Sequence, residues 1–161
     1  MTTAARIALV TCSDLPDGDP EDRALVVALG ERGAEASILL WDAADVDWAA
    51  FDLVVLRNVF DYSVRREEFL AWAEQVPQLR NPINVIRWNS DKHYIDALAQ
   101  LGLPVVETQW LEPERHYAKR DLHTRFPARE DFVVKPAVSA GSADTGRYTA
   151  TDADSRRLAI N

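Results

Sequence analysis

Two lysines and one small-residue loop are the first groups in the sequence that could do chemistry. Lys135 stands inside an apolar run, Phe132-Val133-Val134-Lys135-Pro136, and Lys92 stands at the start of a helical pattern. Ser139-Ala140-Gly141-Ser142-Ala143-Asp144-Thr145-Gly146, eight small or polar residues, follows closely behind Lys135. An ammonium buried in a strand is costly unless an anion meets it, and a cation at a helix start opposes the helix dipole. Small residues let backbone N–H groups approach phosphate oxygens closely. The shared chemistry is anion contact. Plain alternatives stand beside it: Lys135 pointing outward from an edge strand, Lys92 on the surface, and a loop that is only a solvated hairpin tip.

Known nucleotide loops are a poor fit. Gly141 and Gly146 are spaced as in a P-loop, but Arg147 and Tyr148 stand where that motif needs Lys and Ser or Thr. The loop also joins two strands, whereas a P-loop opens a helix. No GxGxxG follows the first apolar run, so dinucleotide binding has no support.

A second set of candidates sits at strand ends. Thr11, Ser13, Arg57, Asn58, Asp61 and Tyr62 follow the first and third apolar runs. Parallel sheets bind ligands outside the carboxyl ends of their strands, so these are candidate small-molecule contacts, with ordinary loop polarity as the alternative. Cys12 lies beside them and reads as a packed thiol. The stretch Arg115, Lys119, Arg120, Arg125, Arg129, which holds His116 and His123, reads as a solvated basic helix face. The three histidines lack metal-ligand spacing.

The elements that must position these groups form an α/β pattern. Strands are expected over Ile7–Val10, Ser37–Trp41 and Leu53–Leu56, each a short continuous apolar run of the kind covered on two faces. A helix starts at Pro20 with Glu21 and Asp22 and stops at Gly33; another carries Phe69, Leu70 and Trp72 and ends near Pro77. Such alternation predicts a small parallel sheet with right-handed crossovers. A helix is expected from about Asp91 to Leu101, capped by Asn89 or Ser90, then a strand over Val105–Leu111. Phe132–Val138 and Arg147–Thr151 read as an antiparallel hairpin with the glycine loop at its tip, and a helix begins at Asp152. The expected domains are 1–88 and 89–161.

Composition bounds the function. The 161 residues are 47% apolar, enough for a core, and carry a net charge of −8, which removes a whole-chain basic footprint for nucleic acid. Residues 1–89 hold 15 acids against 8 bases and residues 90–161 hold 11 against 10, so an anionic ligand belongs on the second part. One cysteine excludes an internal disulfide and fits a reducing, cytoplasmic setting. The apolar runs Ile7–Val10 and Leu53–Leu56 are far too short for a membrane span.

Taken in order, Asn89-Ser90-Asp91-Lys92-His93-Tyr94, Phe132-Val133-Val134-Lys135-Pro136 and Ser139-Ala140-Gly141-Ser142 resemble the ATP-grasp ligases. Thr11-Cys12-Ser13, Leu15-Pro16-Asp17-Gly18-Asp19 and Asp61-Tyr62 resemble the cycloserine synthetase branch, beside RimK-like and glutathione-synthetase-like ligases. The resemblance implies a small pre-ATP-grasp α/β domain followed by the first part of an ATP-grasp domain. It implies that Lys92, Lys135, Ser139, Ala140, Gly141 and Ser142 contact ATP, with Mg²⁺ as the companion ion. It further implies ligation of a small amino-acid-like carboxylate to an amine through an acyl phosphate, in antibiotic-type metabolism. The family's Mg²⁺ ligands and catalytic residues fall beyond Asn161, so the expectation is an N-terminal fragment that is inactive alone and could self-associate as a homodimer over an exposed apolar face. The rival from another class is a non-enzymatic ligand-binding or protein-interaction module.

Overall fold

The computed structural model describes residues 3–112 and 130–151. The basic stretch 115–129 and the helix expected from Asp152 lie outside these residues. The chain divides into two compact units, Met1–Asp91 and Lys92–Asn161.

The first unit is an α/β fold on a four-stranded sheet. Strands β1 (Arg6–Thr11), β2 (Glu35–Leu40), β3 (Leu53–Asn58) and β4 (Leu79–Arg80) lie in the order β2-β1-β3-β4. Every neighbouring pair is parallel, as the strand–helix alternation requires. β1 is central and buried on both faces: Ala8, Val10 and Cys12 on one side, Ile7, Leu9 and Thr11 on the other. That is why its sequence is a continuous apolar run with no polar alternation. The two-residue β4 has no run of its own to announce it.

Helix α1 (Pro20–Gly30) begins where Pro20 and the first-turn acids place it. Helix α2 (Arg66–Gln75) turns Phe69, Leu70 and Ala73 inward. There Phe69 stacks on Trp72 at 5.7 Å and meets Trp41 edge-on at 5.7 Å, while Trp48 meets Trp72 edge-on at 5.2 Å. Three of the five tryptophans thus build one aromatic core over the sheet.

Beyond β4 the sequence expectations need correction. Ile83–Asn89 is itself a helix, α3, which buries Ile86 against the core and ends at Ser90. Asn89 and Ser90 therefore close one helix instead of capping the next. In the second unit α4 covers only Tyr94–Gln100, preceded by His93, and Gly102 supplies the stop at φ 75°. No strand forms at Val105–Leu111: no partner strand among the described residues offers it a ladder, and its β-favouring residues are largely exposed. The hairpin is present, as β5 (Asp131–Val134) paired antiparallel with β6 (Gly146–Thr149). It is shorter than expected, because Pro136 lacks a ladder donor and the chain turns at Ala137.

Candidate functional site

In the first unit the site grows from the register of β1 against β3. Val10 pairs with Leu56, but Thr11 pairs with Asn58, so Arg57 is the extra residue of a bulge. Bulges of this kind re-aim a side chain. Arg57 Nε donates to Asp22 Oδ1 at 2.5 Å, and Asn58 Nδ2 donates to the other oxygen of the same carboxylate. Asn58 Nδ2 also lies 3.2 Å from Asp19 Oδ2. Asp22 is 1% exposed, whereas the Arg57 side chain is 35% exposed. Among the described residues Arg57 Nη1 and Nη2 have no hydrogen-bond partner.

Asp19 and Asp22 close a reciprocal capping box on α1: the Asp22 backbone N–H donates to Asp19 Oδ1 at 2.7 Å, and the Asp19 N–H to Asp22 Oδ2 at 3.3 Å. Gly18, at φ +64°, comes so close that a Cβ there would sit 3.0 Å from Asp22 Cβ. The Asp22 N–H holds the Asp19 carboxyl below its usual range, with Asn58 and Arg57 adding to this. The Asp22 bond in turn raises the Arg57 guanidinium. Thr11 Oγ1 donates to Leu15 O at 2.7 Å, which fixes the loop that carries Ser13.

Asp61 and Tyr62 occupy a neighbouring position but face the aromatic core. Trp41 Nε1 donates to both Asp61 oxygens, at 3.0 and 3.1 Å, and Arg65 stacks over the Trp41 ring at 4.5 Å. Arg65 also pairs with Asp42 at 2.6 Å and Glu68 at 2.8 Å, which raises its pKa. The Tyr62 ring lies 6.0 Å from Phe69. Of the six strand-end candidates the structure gathers Arg57 and Asn58 around one carboxylate, with the Thr11 hydroxyl 3.3 Å from the Asn58 carbonyl. It sets Asp61 and Tyr62 beside the core and leaves Ser13 exposed.

The sequence marks Asp22 as a helix-start signal and Asp19 only as part of a motif, not as the cap it forms. The spacing Asp19-Pro20-Glu21-Asp22 was the available clue, since two acids three apart around a proline can bond each other's backbone.

In the second unit Lys92 is the organising group. Its Nζ donates to Ser139 Oγ at 2.7 Å, Ala137 O at 3.2 Å and Ser139 O at 3.3 Å, and its backbone N–H reaches Ala137 O at 2.9 Å. A cation 47 residues away thus fastens the start of the glycine loop. Lys135, expected to be buried and partnered, is exposed just past the end of β5; a lysine flanked by Pro136 at a strand end escapes to water at little cost. Ala140 is half-buried, while Gly141 (φ 58°) and Ser142 (φ 61°) form the turn closed by the Ala143 N–H on Ala140 O at 3.0 Å. The arrangement offers one fixed ammonium beside a hydroxyl and a tight, exposed turn.

Among the described residues no three His, Cys, Asp or Glu side chains are grouped so as to hold a metal ion. No helix among them is long and apolar enough to cross a membrane.

Comparison with known proteins agrees with this architecture. The model of the family described as D-cycloserine synthetase DcsG, N-terminal domain, matches residues 7–84. The cycloserine biosynthesis protein DcsG of Streptomyces lavendulae is 35% identical over 147 residues, covering 88% of this chain and 49% of that protein. The crystal structure of D-cycloserine synthetase DcsG superimposes with a TM-score of 0.79 at 33% identity, covering 96% of this chain and 52% of the other. The chain spans about half the length of the relatives it matches. Residues 7–84 thus match the family of the DcsG N-terminal domain, and the similarities together fit the N-terminal portion of the cycloserine synthetase branch.

Proposed function

We propose that the chain is the N-terminal portion of an ATP-dependent carboxylate–amine ligase of the ATP-grasp type, acting on a small amino-acid-like substrate in cycloserine-type biosynthesis. The observation that carries it is the Lys92 ammonium bonded to Ser139 at the mouth of the glycine loop. An ammonium already placed beside a turn of small residues suits a nucleotide phosphate, where catalysis rests on positioning and charge neutralisation. Lys92, Lys135 and Ser139 to Ser142 are the groups assigned to ATP. Mg²⁺ would accompany the ATP phosphates, and no residue of the chain is assigned to it. ATP supplies the phosphoryl group that turns a carboxylate into an acyl phosphate open to amine attack. A loop folded over the phosphates then protects the acyl phosphate from water.

A second reading has one observation in its favour. Lys92 Nζ already has three oxygens within 3.3 Å, which equally suits a lysine that merely locks the base of a hairpin in a binding module. The two separate in a coupled assay on the full product of the reading frame. The ligase releases ADP only when Mg-ATP and an amino-acid-like carboxylate are both present, and Lys92→Met removes that release. A module turns over no ATP with any carboxylate offered.

A further inference from the structure

The sheet order β2-β1-β3-β4 reverses direction between β1 and β3, and the crevice outside the carboxyl ends of strands at such a reversal is where open parallel sheets take ligands. The bulge places Arg57 at this reversal. Among the described residues its guanidinium is bonded through Nε, in a side chain that is 35% exposed, and this leaves Nη1 and Nη2 as a planar fork matched to a carboxylate. Asp19, one hydrogen bond from Asn58 and bonded to the Asp22 backbone, lies beside it.

The local charge selects among anions. Asp19, Glu21 and Asp22 all act on Arg57, so a phosphate dianion arriving at the fork meets an excess of carboxylates. A ligand that carries its own cation removes that conflict. We infer that Arg57 anchors the carboxylate of a small zwitterionic ligand, an amino acid by class, whose ammonium is met by Asp19. Asp22 is the positioning residue that aims the fork. This deepens the ligase proposal and rests on it only for the smallness of the ligand.

The test is a titration of the ¹⁵N-labelled 161-residue chain with alanine as probe, read at the Arg57 Nε–H resonance. Alaninamide, propionate and inorganic phosphate are the comparisons. Alanine should shift the resonance saturably, and each of the other three should bind at least tenfold more weakly. Arg57→Gln, read at the Asn58 amide, should abolish the response. Arg57→Lys, which keeps the charge but loses the fork, should weaken it at least tenfold with the circular dichroism unchanged. No response to alanine, equal binding of propionate or phosphate, or unaltered alanine binding in Arg57→Gln overturns the inference. Mg-ATP titrated into the full product of the reading frame keeps the two proposals apart: alanine binding to the chain with no ATP binding by the full product removes the ligase reading alone, and ATP binding by the full product with no alanine binding removes this one.

Discussion

Asp22 and Arg57, 35 residues apart in sequence, meet at 2.5 Å where the first turn of α1 crosses the end of β3. The carboxylate is 1% exposed and accepts from three donors, Arg57 Nε, Asn58 Nδ2 and the capping-box N–H of Asp19, while the Asp22 N–H donates back to Asp19 to complete the box. Helix start, sheet end and candidate site therefore share one group. Removing it breaks a buried pair, which typically costs 3–5 kcal/mol, although the solvent reached by Arg57 moderates the loss. Asp22→Ala should lower stability by about 2–4 kcal/mol in urea denaturation, and Asp22→Asn by less. An Asp22→Ala loss below about 0.5 kcal/mol, the range of an ordinary surface substitution, would show that the carboxylate is not structural.

Asp19 links the same corner to pH. Its folded pKa is depressed from 3.8, chiefly by the Asp22 backbone N–H. For a depressed carboxyl the stabilisation is present above the unfolded value and lost as pH falls through the folded one. Stability should therefore decline from about pH 4 downward, and Asp19→Asn should flatten that part of the curve. The check is chemical denaturation at several acidic pH values; identical slopes for the two proteins would contradict it.

The aromatic cluster predicts a larger effect. Phe69 is 3% exposed and lies against Trp41, Trp72 and Tyr62. Phe69→Ala should cost about 3–5 kcal/mol and diminish the near-ultraviolet circular dichroism of the tryptophans. A milder loss would mean that α2 can settle onto the sheet without its central ring.

Backbone geometry at the hairpin tip gives a finer test. Gly141 sits at φ 58° with nothing within 4 Å of an added Cβ, so Gly141→Ala costs backbone conformation alone. A loss of about 1 kcal/mol is expected. Hydrogen exchange at Ala143, whose N–H closes this turn on Ala140 O, should quicken in the variant. Unchanged exchange would show that the turn does not depend on the left-handed residue.

The fold was legible wherever one local signal decided the outcome. β1 is buried on both faces and β3 in part, both read as apolar runs, and Pro20 with two acids sets the start of α1. The misreadings come from longer-range causes. Ile83–Asn89 is helical because Ile86 docks on the α2 core, and its sequence alone favours no one element. Val105–Leu111 has β-favouring residues but no partner strand among the described residues. In the site, the order of Lys92 and the glycine loop was visible, yet the bond that joins them spans 47 residues. Arg57 was picked out by its strand-end position. That Asp22 aims it depends on a one-residue bulge between Val10 and Thr11, and no residue type announces a bulge.

Calorimetric titration of Mg-ATP into the full product of the reading frame, wild type beside Lys92→Met, tests the central proposal most directly. Saturable binding that falls at least tenfold in Lys92→Met, with the circular dichroism of the two proteins alike, is the result the ligase proposal predicts. Absence of binding in the wild type, or equal affinity in the two, would contradict it and leave Lys92 as the fastener of a hairpin.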